Sequence, residues 1–252
     1  MSHHKIEARS LSYTYPDGNA ALRDVSFTIR HGQSVGILGA NGAGKSTLLL
    51  LLMGVLRPTA GEVLIGDVKL TPKTLPNVRR RLGLVFQNPD DQLFMNTVYE
   101  DVAFGPRNAG LDEQEVDRCV TEALRTVGIP HLKDRAPWRC SGGEKRAAAI
   151  AGVLAMQPDV LVLDEPTSDL DPRARRRAME LLGSFTHTKI IASHDIDMVY
   201  ALCERTIILQ NGRLTVDGDT QKTVTDVPLM ESSGLEPPLC LQGCPVCGRG
   251  DR

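Results

Sequence analysis

Val35-Gly36-Ile37-Leu38-Gly39-Ala40-Asn41-Gly42-Ala43-Gly44-Lys45-Ser46-Thr47 is the stretch that settles the architecture of this chain. A short apolar run feeds a glycine-rich loop, and the apolar residues Leu48 to Leu52 with Met53 carry on as a helix pattern. Glycines let successive backbone N–H groups curl around phosphates, and the helix N-terminus adds partial positive charge. Lys45 supplies a full charge for a γ-phosphate, and the Ser46 hydroxyl is a ligand for Mg²⁺. The competing reading is an ordinary glycine turn before a helix. The strand before, the helix after and the intact Lys-Ser pair argue against it. Gly39, Asn41, Gly42, Ala43, Gly44, Lys45, Ser46 and Thr47 are therefore candidate nucleotide-binding residues.

Outward from this loop, residues 6–15 and 25–29 alternate like strands, with Pro16-Asp17-Gly18-Asn19 as turn chemistry between them. Residues 63–65 and 82–86 read as strands too. From residue 98 to 127 the chain turns acidic and helical, with Val116, Val120, Leu124 and Val127 at spacings of three and four. A further helix is expected over residues 144–156. Residues 160–163, 190–192 and 206–209 look like buried strands of a mainly parallel sheet, separated by helices over 172–182 and 196–202. This alternation predicts an α/β fold interrupted by a helical insertion. After Asp219 the pattern fades into Ser, Gly and Pro, and no internal repeat is visible.

Composition bounds the function. A chain of 252 residues holds one sizeable domain with room for a small lobe. A formal charge of −2 and a pI near 6.3 give no support for nucleic-acid binding, and aromatics at 4% leave few stacking platforms for bases. No apolar run approaches the roughly 18 to 20 residues of a membrane helix. The N-terminus reaches charged residues before any apolar segment, unlike a signal peptide. A cytoplasmic location is expected, where the six cysteines are more plausible as thiols or metal ligands than as disulfides.

Two more elements carry chemistry. Leu161-Val162-Leu163-Asp164-Glu165-Pro166 is a buried strand ending in carboxylates: Asp164 is placed to approach a metal, and Glu165 can polarise an attacking water. Alone this would be unremarkable; downstream of a phosphate loop it is specific. Cys140-Ser141-Gly142-Gly143-Glu144-Lys145-Arg146 opens a helix, and Ser141, Gly142 and Gly143 make a second anion cradle. A chain that already has one phosphate loop has use for a second cradle if it faces another copy of the subunit.

The order of phosphate loop, Gln87, Ser-Gly-Gly, Asp164-Glu165, Ser168-Asp169-Leu170-Asp171 and Ser193-His194-Asp195 resembles the ABC-transporter ATPases over residues 5–220. The resemblance implies a P-loop NTPase fold with a RecA-like, mainly parallel core, an N-terminal antiparallel β subdomain and a helical insertion. It implies ATP hydrolysis with Mg²⁺ held at Ser46, Gln87 and Asp164, and Gln87 reporting to a membrane subunit. By the same resemblance Glu165 and His194 are catalytic, Asp171 communicates between the two sites of a dimer, and Tyr15 stacks on adenine. The family's signature usually begins with Leu and carries Gln where this chain has Cys140 and Glu144. The added charge of Glu144 is expected to be offset in part by Lys145 and Arg146.

Phe86-Gln87-Asn88-Pro89-Asp90-Asp91-Gln92-Leu93-Phe94 resembles the ATPases of energy-coupling-factor importers. Tyr15-Pro16-Asp17-Gly18 and Gly234-Leu235-Glu236-Pro237-Pro238 look like their cobalt and nickel branch. That implies a homodimer at the cytoplasmic face of a membrane, gripping a transmembrane coupling protein and a substrate-capturing protein. A soluble ABC protein that regulates without membrane partners is the alternative. The expected division is a nucleotide-binding core of residues 1–87 and 147–225, a helical lobe of 88–146 and a tail of 226–252. Cys240, Cys244 and Cys247 in that tail could hold Zn²⁺ if a fourth ligand came from elsewhere.

Overall fold

The turn after Tyr15 forms because Gly18 adopts a φ of 89°, letting the Tyr15 and Gly18 amides close onto Asn19 and Tyr15 carbonyls. It joins β1 (Ile6–Thr14) to β2 (Ala20–Ile29) in a computed structural model that describes residues 5–242. The chain continues through β3 (Ser34–Leu38), α1 (Lys45–Leu52), β4 (Ala60–Ile65), β5 (Val68–Lys69), α2 (Leu75–Arg79) and β6 (Leu82–Val85). Helices α3 (Val98–Asn108), α4 (Glu113–Thr126) and α5 (Gly142–Leu154) then precede β7 (Val160–Asp164) and α6 (Pro172–Ser184). Last come β8 (Thr188–Ala192), α7 (Ile196–Leu202), β9 (Arg205–Gln210), β10 (Arg213–Asp219), α8 (Thr220–Thr225) and α9 (Val227–Ser232). The fold is α/β, with an antiparallel N-terminal sheet and a second, mainly parallel one.

The chain divides into two compact units, Met1–Leu75 with Thr188–Arg252, and Pro76–His187. In the first, β1 lies between β2 and β4, pairing Ile6 with Ile29 and with Ile65. Ile6 with Ala8, and Val25 with Phe27 and Ile29, are buried at every second position, the face of a sheet covered on one side, and Leu22 joins them beyond a register shift. The same unit holds β3 paired in parallel with both β8 and β9, so that Ile37 sits opposite Ala192 and Ile207. Val35, Ile37 and Leu38 are fully buried, as an apolar strand enclosed on both faces requires. At Gly36 a Cβ would lie 2.3 Å from Val199 Cγ1, so α7 can cross β3 only over a glycine.

In the second unit β6 and β7 pair in parallel, Leu82 beside Val160 and Val85 beside Leu163. The helices α3, α4 and α5 bury Val98, Val102, Val116, Val120, Leu124, Ala148 and Ala151 in one cluster. Burial of each larger aliphatic side chain there contributes about 1.5–3 kcal/mol. Thr97 and Glu100 form a reciprocal capping box at the start of α3, and Asp112 caps α4.

Past Asp219 the structure departs from the expectation of a fading pattern. Asp219 and Asp226 cap α8 and α9 through the Lys222 and Leu229 amides, and Val224 and Met230 are fully buried. Two six-residue helices are too short to show a period, and a single buried apolar residue anchors each, Val224 and Met230.

Candidate nucleotide-binding site

In the first unit, the loop between β3 and α1 is held from both sides by backbone. Gly44 has a φ of 103°, and a Cβ there would lie 2.6 Å from the Ala21 carbonyl oxygen of β2. A Cβ on Gly39 would lie 2.5 Å from the Leu209 oxygen of β9. The loop thus keeps its shape only with glycine at these positions. Lys45 is 7% exposed, and its Nζ donates to Gly39 O at 2.7 Å and Ala40 O at 3.4 Å. The ammonium is folded into the ring of loop backbone, where a phosphate would meet it. Ala43 and Thr47 are buried, whereas Asn41, Gly42 and Ser46 are exposed. The Ser46 hydroxyl is therefore open to a ligand.

Tyr15 reaches the same helix. Its hydroxyl is 2.9 Å from Thr47 Oγ1, and its ring meets Tyr13 edge to face at 4.9 Å. Of the two tyrosines the expected one is the one tied to α1. His194 is exposed at the end of β8 and lines a cavity of about 370 Å³ together with Gly39, Ala40 and Asn41. The first unit therefore brings His194 and the glycine loop to one opening. Asp195 positions the histidine's neighbourhood: its carboxylate caps α7 through the Met198 amide, and its own amide donates to Ser193 Oγ.

The second unit carries the other expected residues. Asp164 ends β7, and Glu165, 5% exposed, follows with a φ of 46°. A non-glycine residue held in the left-handed region is uncommon and marks functional turns. Asp171 is exposed and caps α6, its Oδ1 accepting from the Arg173 and Ala174 amides, which holds the carboxyl below its ordinary range.

Ser141 is the N-cap of α5. Its Oγ accepts from the Glu144 amide at 3.3 Å, while a Glu144 carboxylate oxygen accepts from the Ser141 amide at 2.7 Å. That box engages a lone pair of the Ser141 hydroxyl and leaves its proton to donate outward. The Gly142 and Gly143 amides are the remaining donors of the helix's first turn. Glu144 is thus a structural cap, and the Ser141 amide is the first cause of its lowered pKa. The expected charge offset is corrected here: Arg135, not Lys145 or Arg146, pairs with Glu144, at 3.6 Å. Lys145 instead donates to Asp90 at 2.6 Å, and Arg146 donates to the Phe86 and Gln87 carbonyls. Just ahead of the cradle, in the turn Pro137–Arg139, Trp138 is 65% exposed.

Cys244 and Cys247 lie outside the described residues, as do His3, His4 and the Cys240 side chain. Among the described residues no group of three His, Cys, Asp or Glu could hold a metal ion, so the zinc expectation gains no support. No helix of the described residues is long and apolar enough to cross a membrane.

The family model described as "ABC transporter" matches residues 22–168. A Geobacter sulfurreducens protein, named as an ABC transporter ATP-binding protein, is 60% identical over 99% of this chain and 100% of its own length. The energy-coupling factor transporter ATP-binding protein EcfA of Methanocaldococcus jannaschii is 45% identical over 92% of this chain and 85% of its own. Among solved structures, cbiO1 from Clostridium perfringens, part of the ABC transporter complex cbiONQ, superposes with a TM-score of 0.80. It is 38% identical, covering 91% of this chain and 94% of that one. With a glycine loop, an inward-folded lysine and an exposed histidine at one opening, this chain belongs to the ABC transporter family and is an ATP hydrolase.

Proposed function

We propose that the chain is the ATP-driven subunit of an energy-coupling-factor importer for cobalt or nickel ions, working as a homodimer at the cytoplasmic membrane face. The observation that carries this reading is the double likeness to EcfA and to cbiO1 over nine-tenths of the chain. The loop from Phe86 to Phe94 supports it, because Phe86, Gln87, Asp90 and Gln92 are fastened to α5 while Asp91 and Phe94 are left exposed. Phe94 is 63% exposed and stacks edge to face on Phe104 of α3 at 5.1 Å, an apolar patch three residues after exposed Asp91.

In this proposal Gly39, Asn41, Gly42, Ala43, Gly44, Lys45 and Thr47 bind the phosphates and Tyr15 carries the adenine. Ser46, Gln87 and Asp164 are the ligands of Mg²⁺, an all-oxygen set of the kind that ion takes. When bound, Mg²⁺ neutralises the developing charge on the phosphates. Glu165 orients the lytic water, His194 bonds the γ-phosphate, and Asp171 speaks to the opposite site. Ser141, Gly142 and Gly143 offer one hydroxyl proton and two amides to the nucleotide held by the second copy. The proposed working parts are a core of residues 1–87 and 147–225, a lobe of 88–146 and a tail of 226–252, a functional division whose bounds differ from those of the two compact units.

The test is purification from a host expressing the chain with its two membrane proteins, then uptake into vesicles of Co²⁺, Ni²⁺ and biotin. ATP-dependent Co²⁺ or Ni²⁺ entry is expected, and Glu165→Gln should abolish it. Failure to co-purify any integral membrane protein would favour the soluble regulator instead. Uptake of biotin alone would move the substrate assignment.

A further inference from the structure

Three side chains fasten the loop that carries Gln87 to the opening turns of α5. Arg146 Nη1 donates to Phe86 O at 2.7 Å and its Nη2 to Gln87 O at 2.5 Å. Gln92 Nε2 donates to Ala149 O at 2.7 Å, and the Gln92 side-chain oxygen accepts from the Phe86 amide at 3.3 Å. Lys145 joins Asp90. Arg146 is 3% exposed although Phe86 and Gln87 are both exposed, so a charged side chain is buried in order to hold backbone at the surface.

The geometry of the fork matters. A planar guanidinium that donates to two consecutive carbonyls fixes the orientation of the peptide between residues 86 and 87, whereas an ammonium is a point charge without a fixed fork. Arg146 lies in the second turn of the same helix whose N-cap is Ser141. A helix transmits displacement along its axis without bending much over so short a span. The loop is thereby hydrogen-bonded to the same helix that opens at the Ser141–Gly143 cradle. Burial disfavours the charge, and the carboxylates of Asp169 and Asp164, which also belong to this unit, offset that cost in part. A residue needed only for packing would gain nothing from the charge, since a buried ion is often less stabilising than an apolar replacement of equal volume.

We propose that Arg146 is a positioning residue for ATP hydrolysis, linking the backbone of Gln87 to the Ser141–Gly143 cradle so that movement of one carries the other. This rests on the roles proposed above for Gln87 and Ser141. In the working transporter, a pull on the loop by a membrane partner would then be delivered to the cradle that completes the second copy's site.

The isolated chain tests this with a double-mutant cycle of Arg146→Met and Gln87→Ala. Arg146→Met should lower kcat about 10-fold with KM for ATP changed less than about two-fold. In the Gln87→Ala background it should cost less than about two-fold, because the residue acts through Gln87. Arg146→Lys should recover only part of the loss, since it lacks the fork. Additive losses, a wild-type kcat in Arg146→Met, or full rescue by lysine would each overturn the proposal. If Arg146→Met does not fold, Gln92→Leu removes a second fastener at a half-buried position. Hydrogen exchange should then speed up together over residues 86–89 and 141–145; an unchanged cradle would overturn the linkage. A non-additive cycle in a chain that finds no membrane partner would sink the importer reading and leave the linkage standing. An additive cycle in a chain that drives cobalt uptake would do the reverse.

Discussion

Glu165 stands with its backbone in the left-handed region and its side chain almost wholly buried, directly after Asp164. In the proposed function this carboxylate orients a water for attack. Replacement by glutamine keeps shape and hydrogen-bonding capacity while removing the base. Glu165→Gln is therefore expected to bind ATP normally and lose about 10²- to 10⁴-fold in turnover, measured by phosphate release beside nucleotide binding. Turnover near wild type would remove Glu165 from the chemistry. Residues such as this one were legible in the sequence because motif and neighbours are contiguous: Lys45 follows its glycines and Glu165 its strand. Arg146 was not. Its partners lie about sixty residues away and are backbone carbonyls, which carry no side-chain identity to recognise. The Asp90–Lys145 and Arg135–Glu144 pairs were hidden for another reason: charged side chains are common, and no periodicity or motif says which two will meet.

At the scale of elements, the N-terminus of α5 shows how two adjacent glycines differ. A Cβ at Gly142 meets nothing within 4 Å, whereas at Gly143 it would lie 2.9 Å from Ala174 Cβ on α6. Gly143→Ala should push α5 and α6 apart, lowering both stability and turnover. Gly142→Ala should leave the melting temperature nearly unchanged, with overpacking at Gly143 costing about 1–3 kcal/mol. Equal melting curves for the two variants would show that α6 yields without cost. Elements with a strong period or a motif at one end were visible beforehand: β3 with α1, α4 with its buried valines, β7 with its terminal carboxylates. The solvent-facing edge strand β10 and the short α2, α8 and α9 were not, because each buries too few side chains to impose a pattern. The signature helix starts at Gly142, two residues ahead of the expected start, because the Ser141–Glu144 box caps it there.

For the whole molecule, the question is where a membrane partner holds on. The two acidic residues after Gln87 differ in what surrounds them. Asp90 is already engaged by Lys145, while Asp91 is exposed three residues before Phe94. Asp91→Lys should thus weaken pull-down of the membrane partner and cut uptake, with basal ATP hydrolysis of the isolated chain preserved. A like-charge clash with a basic docking helix costs several kcal/mol, enough to be seen as lost assembly. Intact assembly and uptake in that variant would place the contact elsewhere on the lobe. Assembly bears on one further property, which comes from Trp138. It is the only tryptophan in the chain, it is largely exposed, and it precedes Ser141 by three residues. The intrinsic fluorescence of tryptophan in this protein therefore has a single origin, on the doorstep of the cradle. Whatever covers or uncovers that face, a second copy above all, alters the polarity around one indole, and the native chain is its own optical gauge of closure.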